Sequence, residues 1–184
     1  MPYKYSQRRY NKSNHSDAAA ALSVMSDHVI QLRKFIQEDA ASIAEHANNE
    51  KVSRFLREVF PFPYTLEAAK WWVSEGFKLG NSRNLAIVFS GECIGGAGLL
   101  FQENENRYSC ELGYWFGQSH WGKGIATEVV AKLRKIAFIE HDIKRLYAPV
   151  VGENKASIRV LQKNDFELEG VLKNNLFLRG KIYD

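Results

Sequence analysis

A glycine-containing segment in the second half of the chain has residue types that can bind phosphate. It reads HWGKGIAT from His120 to Thr127, and the flanking patterns predict that a strand ends before it and a helix begins within it. Glycine lets successive backbone N–H groups turn towards one point, and a helix N-terminus adds about half a positive charge there. The segment therefore predicts a phosphate or pyrophosphate site, with an ordinary helix-starting turn as the alternative.

Two other nucleotide-binding motifs do not fit this segment. The ATP phosphate loop requires Ser or Thr after its lysine, but Gly124 follows Lys123, so the hydroxyl that holds magnesium is absent. The dinucleotide fingerprint requires a third glycine at the position of Thr127. We therefore expect neither an ATPase or kinase nor a dinucleotide-dependent enzyme.

The segment before the loop alternates like a strand with one buried face. One set of alternate positions is apolar throughout, and the other set is mostly polar or small: Tyr108, Cys110, Leu112, Tyr114 and Phe116 against Arg107, Ser109, Glu111, Gly113 and Trp115. Because side chains of a strand alternate between its two faces, the first set should meet the core and the second a cleft. Glu111 is thus a candidate base, and a structural carboxylate paired with Arg107 or another cation is the alternative.

The elements that must position these residues follow one another from residue 28 onwards. The patterns predict strands and helices in the order strand Val29–Phe35, helix Glu38–Asn48, a helix after Thr65, a hairpin of Asn84–Phe89 and Cys93–Phe101, the strand before the loop, helix Ile125–Glu140, strand Arg145–Val151 and helix Asn154–Asn164. Antiparallel strands followed by a strand–loop–helix–strand unit predict an α+β fold with a mixed, mostly antiparallel central sheet and helices on both faces.

Charge and length divide the chain into two parts. It has 184 residues and a net charge of +4, which suits one domain of ordinary size. Most of that charge lies in residues 1–24, where Lys4, Arg8, Arg9 and Lys12 face only Asp17. We predict a disordered basic extension over residues 1–27 and a folded domain over residues 28–184, and we expect no nucleic-acid binding beyond the basic tail.

Other features exclude several protein classes. Cys93 and Cys110 are too few for a disulfide framework, which indicates a reducing, cytoplasmic location. The five histidines and two cysteines show neither His-x3-His nor Cys-x2-Cys spacing, so we expect no metal. The longest stretch without Lys, Arg, Asp or Glu is Leu112–Gly122, which is shorter than the roughly 20 residues of a membrane span.

The loop and its neighbours resemble the GNAT acetyltransferase superfamily. The acetyl-CoA loop of that family reads [Gln/Arg]-x-x-Gly-x-[Gly/Ala], and Trp at its first position, as here, is usual in the RimJ/RimL-like branch, which acetylates protein N-terminal amines. The same branch is matched, in order across about residues 28–184, by Phe62-Pro63-Tyr64-Thr65 leading to Trp71-Trp72, Glu111-Leu112-Gly113-Tyr114-Trp115, Asn154-x-x-Ser157, Leu161-x-Lys163-x-x-Phe166 and Glu169-Gly170.

The resemblance implies that acetyl-CoA is the cosubstrate and that the sheet is splayed where it binds. The residues that would hold it are the backbone of Tyr114, Trp115 and Phe116, the loop residues Trp121, Gly122, Lys123, Gly124, Ile125, Ala126 and Thr127, and Asn154 near the thioester.

For the reaction, the resemblance implies direct attack of a primary amine in a ternary complex. Glu111 would be the base, and Ser157 would protonate the leaving thiolate, because Leu161 stands where many family members have a tyrosine. Phe60, Tyr64 and Trp72 would line the acceptor pocket, with plain core as the alternative for each. The expected acceptor is a protein or peptide N-terminal α-amine; a polyamine or aminoglycoside, or a non-catalytic acetyl-CoA-binding module, are the alternatives. The oligomeric state stays open, with a dimer as one option.

Two positions depart from the family pattern. Asp165 replaces the usual Gly before Phe166, and Asp tolerates the left-handed conformation better than most residues. Family chains also continue after the position of Asp184 with a strand that inserts between earlier ones. We therefore expect the C-terminal strand of the family to be missing here. Three explanations stay open: the chain is truncated, the last strand is rearranged, or a partner supplies it.

Overall fold

The computed structural model describes residues 3–7 and 29–184. Its strands are β1 Tyr3–Gln7, β2 Ile30–Arg33, β3 Ser82–Phe89, β4 Glu92–Phe101, β5 Ser109–Phe116, β6 Arg145–Val150, β7 Glu167–Gly170, β8 Leu176–Leu178 and β9 Lys181–Tyr183. Its α-helices are α1 Ala40–Ala47, α2 Glu50–Ser53, α3 Leu66–Ser74, α4 Ile125–Lys135 and α5 Lys155–Lys163. No helix in these two ranges combines the length and the apolar character that crossing a bilayer requires.

A seven-stranded sheet forms the centre, in the order β2-β3-β4-β5-β6-β1-β7. Its neighbours are antiparallel except for β5 and β6, which run parallel. Parallel neighbours need a long crossover, and the phosphate loop and α4 form that crossover. The predicted α+β fold with a mostly antiparallel sheet is thereby confirmed.

The sheet splits where β5 and β6 run side by side. The two strands pair only between Ser109–Glu111 and Arg145–Tyr147. Beyond Glu111, β5 continues its pairing with β4 as far as Phe116, whereas β6 continues with β1 as far as Val150. A gap therefore opens between β5 and β6 next to the predicted phosphate loop.

Helices cover both faces of the sheet and bury two clusters of apolar side chains. The larger cluster joins the sheet to α4 and α5 through residues such as Val129, Leu133 and Leu161. The smaller cluster joins β3 and β4 to α1 and α3 through residues such as Ile43 and Val73. The sheet is thus held rigidly on either side of the gap.

The segment that the sequence predicts to be disordered contributes a strand inside the sheet. Residues 3–7 form β1, which pairs antiparallel with both β6 and β7. Tyr5 is buried in the larger core cluster, and the buried Ser6 hydroxyl donates a hydrogen bond to Glu169 Oε1 at 2.5 Å. The prediction of a disordered extension is therefore wrong for residues 3–7, while the rest of that segment lies outside the described residues.

This strand also changes the expectation of an incomplete sheet. Because β1 has a partner on each side, the sheet is continuous from β2 to β7 without a further C-terminal strand. The last residues, β8 and β9, instead form a separate two-stranded hairpin. A five-residue strand that alternates weakly is hard to recognise from sequence, because its stability comes from neighbours distant in the chain.

Local sequence signals set several element boundaries as predicted. The Thr65 hydroxyl accepts a hydrogen bond from the N–H of Ala68 at 3.2 Å and so caps α3. Ser90 and Gly91 form the β3–β4 turn with φ of 50° and 86°, as a two-residue hairpin loop requires. Asp165 has a φ of 60°, so it adopts the predicted left-handed conformation after α5.

Candidate active site

The predicted phosphate loop presents unpaired backbone donors at the start of a helix. Gly122 and Gly124 both have a φ of 79°, and Gly124 is the N-cap of α4. Among the described residues, the N–H groups of Gly122, Lys123 and Gly124 have no hydrogen-bond partner. Trp121 Nε1 donates to the carbonyl of Phe116 at 3.0 Å and so ties the loop to the end of β5. These donors and the helix dipole form a cradle for an anion.

Two loop residues, Thr127 and Lys123, have contacts that set them apart from their neighbours. The N–H of Thr127 donates to the carbonyl of Gly124 at 3.0 Å, so this amide is not free to bind phosphate. Lys123 does not line the adjoining cavity. Its charge nevertheless acts nearby, because the pKa of His120 is lowered by burial and then by His46 and Lys123.

A cavity of about 350 Å³ extends from the loop along the end of β5 to α5. Apart from Lys123, each residue predicted to hold acetyl-CoA lines it: Tyr114, Trp115, Phe116, Trp121, Gly122, Gly124, Ile125, Ala126, Thr127 and Asn154. Because these residues line it, we call it the cofactor cavity. The residues that the motif and the strand pattern singled out thus line one cavity.

A second cavity of about 290 Å³ lies on the other side of the gap. Its wall includes Glu111 and Arg57, the hairpin residues Leu176 and Leu178, and part of β6. This acceptor cavity and the cofactor cavity share the wall residues Phe55, Leu56, Tyr114, Asn154 and Ser157. Two ligands that enter from opposite sides would therefore meet beside Tyr114 and Ser157.

Hydrogen bonds fix the side chains at this meeting point. The Tyr114 hydroxyl donates to Ser157 Oγ at 3.3 Å, and the N–H of Ser157 donates to Asn154 Oδ1 at 3.2 Å. Asn154 therefore caps α5 and faces the cavities at the same time, as the sequence allowed. Burial raises the pKa of Tyr114 although its hydrogen bond to Ser157 opposes this, so the phenol keeps its proton at neutral pH.

Glu111 forms an ion pair, and its partner is Arg57. A guanidinium nitrogen of Arg57 donates to Glu111 Oε1. The Glu111 side chain is 18% exposed and that of Arg57 is 64% exposed, so the arginine lies on the solvent side of the carboxylate. Arg107, the cation that the sequence suggested, instead donates to the carbonyl of Asn104. No pattern in the sequence pointed to Arg57, because it follows the short helix α2 in an irregular segment.

The structure places the three aromatic residues predicted for the acceptor pocket in or against a core cluster, which was the alternative for each of them. Phe60, Tyr64 and Trp72 belong to the smaller core cluster, and none of them lines the cofactor cavity or the acceptor cavity. Phe60 packs between Tyr64 and Trp115 at ring distances of 4.9 and 5.1 Å. The physical reason is that large aromatic side chains gain more by burial against α1 and α3 than at an exposed rim.

The two cysteines take no part in the site. Both are free and buried, and burial raises the pKa of Cys93 and of Cys110 to about 12. Thiols of that kind stay protonated at neutral pH and are poor nucleophiles. The site therefore favours direct transfer between two bound ligands over a thiol-linked step.

Comparison with known proteins gives one family. Residues 30–167 match the family model described as an acetyltransferase (GNAT) domain. The chain is 30% identical over 159 residues to the uncharacterized N-acetyltransferase p20 of Bacillus licheniformis, covering 84% of this chain and 88% of that protein.

Two solved structures share the fold. The ribosomal alpha-N-protein acetyltransferase RimL bound to coenzyme A has a TM-score of 0.73 at 22% identity, covering 84% of this chain and 89% of RimL. The spermidine N-acetyltransferase of Vibrio cholerae bound to CoA and spermine has a TM-score of 0.70 at 21% identity. The match covers 84% of this chain and 90% of that enzyme.

Proposed function

Because the chain belongs to the GNAT acetyltransferase family, as its sequence motifs predicted, we propose that it is an acetyl-CoA-dependent enzyme that acetylates the N-terminal α-amine of a protein or peptide. The observation that carries this proposal is the meeting of the cofactor cavity and the acceptor cavity at Tyr114 and Ser157. An acyl donor in one cavity and an amine in the other would contact each other there without a covalent enzyme intermediate.

The loop supports acetyl-CoA as the donor. Gly122 and Gly124 hold the backbone so that its free N–H groups surround one point at the N-terminus of α4, and a diphosphate fits such a cradle. The gap after Glu111 leaves one side of β5 unpaired, where the slender pantetheine arm can lie as an additional strand. Bound acetyl-CoA supplies an activated acyl group that a neutral amine can attack.

Side chains at the meeting point would manage the two protons of the reaction. The amine nitrogen forms a bond to the acyl carbon as the carbon–sulfur bond breaks. Glu111 accepts the proton that the amine loses, directly or through a water, once its pairing with Arg57 loosens. A backbone N–H of Tyr114–Phe116 stabilises the negative charge that develops on the carbonyl oxygen. Ser157 passes its proton to the departing thiolate and regains one from the Tyr114 hydroxyl that donates to it, and solvent then returns a proton to Tyr114.

The free-energy cost of deprotonation favours an α-amine over a lysine side chain. An α-amine has a pKa of about 7.7–8.0 and a lysine amine about 10.4, so at pH 7 the neutral form costs roughly 1 kcal/mol and nearly 5 kcal/mol respectively. One carboxylate already paired with an arginine is a modest base. Such a base suits the α-amine, which needs little help.

The lining of the acceptor cavity favours a peptide over a polyamine. Its wall is mainly apolar, and Glu111 is its one acidic residue among the described lining. A polyamine carries several positive charges and needs several carboxylates, whereas a peptide N-terminus brings one charge and apolar side chains. The apolar residues Leu56, Leu176 and Leu178 can pack against the first side chains of a peptide.

The test is release of free CoA from acetyl-CoA with paired acceptors. Each peptide is supplied in two forms, one with a free α-amine and a blocked lysine and one with a blocked α-amine and a free lysine. Spermidine and an aminoglycoside are assayed in parallel. We expect the highest kcat/KM with the free α-amine. A higher kcat/KM with spermidine or the aminoglycoside would support the small-amine alternative, and acetyl-CoA binding without amine-dependent release would indicate a non-catalytic module.

A further inference from the structure

Two histidines and a glutamate from distant parts of the chain meet beside the phosphate loop. His46 lies in α1, Glu92 begins β4, and His120 ends the 3-10 turn Gln118–His120. One possible ligand atom from each residue lies within 4.8 Å of the other two. We propose that these three side chains, the His–Glu–His cluster, bind one divalent transition metal ion, for which Zn²⁺ is the best match.

The donor types select the class of metal. Two imidazoles and one carboxylate suit Zn²⁺ and its neighbours in the first transition row, whereas Ca²⁺ and Mg²⁺ require mainly oxygen ligands. Three protein ligands leave a fourth position for water or an external ligand. A cavity of about 380 Å³ lined by Glu45, His46, Asn49, Gln118 and Ser119 adjoins the cluster and gives the ion a route in.

The geometry of the rings suits two ligands of one ion. With a metal–nitrogen distance of about 2.0–2.1 Å and a tetrahedral angle, two imidazole ring centres lie about 5 Å apart. The ring centres of His46 and His120 are 5.2 Å apart, with an angle of 82° between the rings. His46 Nε2 and Glu92 Oε1 are 2.9 Å apart, so a small movement of the side chains would bring all three donors to one ion.

The surroundings leave room for the His46 ring, leave a nitrogen of His120 without a partner, and leave the Glu92 side chain half exposed. A Cβ atom at Gly117 would lie 2.2 Å from His46 Nδ1, so the absence of a side chain there allows the ring its position. His120 Nδ1 is buried and has no hydrogen-bond partner in the described part of the chain. Glu92 is half exposed, and the Ser42 hydroxyl donates to its Oε1 at 3.1 Å, which is the outer contact typical of a metal-binding carboxylate.

A metal at this place would connect α1 and β4 to the turn that leads into the phosphate loop. His120 immediately precedes Trp121 and itself lines that cavity. An ion shared with α1 and β4 would fix the start of the phosphate loop. Zinc binding should therefore raise the thermal stability of the protein in the absence of any substrate.

The test uses full-length protein that has been treated with EDTA and then desalted. Zn²⁺ is titrated by calorimetry, and Tm is recorded with and without the ion. We expect one cluster-bound ion per chain and a higher Tm with Zn²⁺. His120→Gln and Glu92→Gln should each weaken binding by at least about 10-fold, since even outer-shell substitutions cost about 10- to 100-fold.

His141→Gln is the matched control. His141 is exposed and contacts Arg83 and Phe101 instead of the cluster, so this variant should bind Zn²⁺ as the parent does. Equal Zn²⁺ binding in the parent, Glu92→Gln and His120→Gln proteins would overturn the proposal, and so would an unchanged Tm or an equal response to Mg²⁺. Because neither acetyl-CoA nor an acceptor is present, the result is independent of the proposed acetyl transfer.

Discussion

At the scale of single residues, the ion pair between Glu111 and Arg57 bears most directly on the proposed acceptor site. The pair lies at the acceptor cavity, with the arginine on its solvent side. An incoming ammonium group can replace the guanidinium as the partner of the carboxylate, because both are cations that donate hydrogen bonds. Arg57 would then occupy the position of the substrate amine in the free protein, and Glu111 would accept a proton from the amine after it binds.

This arrangement predicts that Glu111→Gln lowers kcat/KM for an α-amine acceptor by about 10²-fold, the lower end of the range for general base catalysis. The remaining activity should rise with pH to a higher value, because the amine must then lose its proton to solvent. The measurement is a pH profile of CoA release. An unchanged profile would show that Glu111 is a structural carboxylate.

Arg57→Gln separates the base from its partner. This substitution removes the cation but leaves the carboxylate, so kcat should change by less than about tenfold. A loss equal to that of Glu111→Gln would mean that the ion pair itself, rather than the carboxylate, maintains the site. Arg57 is well exposed, so the substitution should leave the fold intact.

At the scale of elements, β1 is the strand whose contribution to stability differs most from the sequence-based prediction. The sequence predicted a disordered extension, but Tyr5 is only 4% exposed, and its backbone lies between β6 and β7. Tyr5→Ala should therefore reduce the free energy of unfolding by about 3 kcal/mol, as for other large aromatic residues of a core. Lys4→Ala, in the same strand, should reduce it by less than about 1 kcal/mol. Urea titration would show this difference, and equal small effects would mean that β1 does not contribute to stability in solution.

The contact between β1, β6 and β7 also predicts a pH dependence. Burial raises the pKa of Glu169, but hydrogen bonds from Arg145 and Ser6 outweigh it and lower the pKa below 4.5. A carboxyl group with a lowered pKa stabilises the fold at higher pH and loses this contribution as the pH falls through its folded-state value.

Glu169→Gln should therefore cost about 1 kcal/mol at pH 7 and less at pH 3, because pH 3 lies below the ordinary carboxyl pKa of 4.5 and the contribution of the charge declines there. Unfolding in urea at the two pH values would measure this. Glu167→Gln, in the same strand and exposed, is the control and should have little effect at either pH. A Glu169→Gln penalty that is as large at pH 3 as at pH 7 would contradict the role of the charge.

At the scale of the whole molecule, the sequence was informative where a local pattern determines structure. Gly122 and Gly124 must adopt a positive φ before a helix, and Asn154 and Thr65 must cap helices, so short stretches were sufficient to place them. The acceptor cavity depends instead on contacts between distant segments, such as Arg57 with Glu111 and Phe55, which follows α2, with Tyr183 of the hairpin. The His–Glu–His cluster and the pairing of β1 also depend on such contacts. Contacts between residues far apart in the chain cannot be predicted from their spacing in the sequence.

Binding of CoA at the phosphate loop should raise the free energy of unfolding of the whole domain, because a ligand that binds only the folded state stabilises all of it. CoA at 100 times its Kd should add about 2.7 kcal/mol to the free energy of unfolding. In Gly122→Ala, the positive φ of 79° would strain alanine by about 1 kcal/mol and disturb the N–H groups that face the ligand. If the Kd rises about tenfold, the same CoA concentration should add only about 1.4 kcal/mol.

Gly80→Ala is the control for Gly122→Ala. Its φ is 71° and a Cβ there meets no atom within 4 Å, so this variant should lose the same intrinsic stability and keep the full response to CoA. Thermal unfolding of both variants with and without CoA measures the difference, and an equal increase of Tm in the two would show that the backbone at Gly122 does not form the diphosphate site.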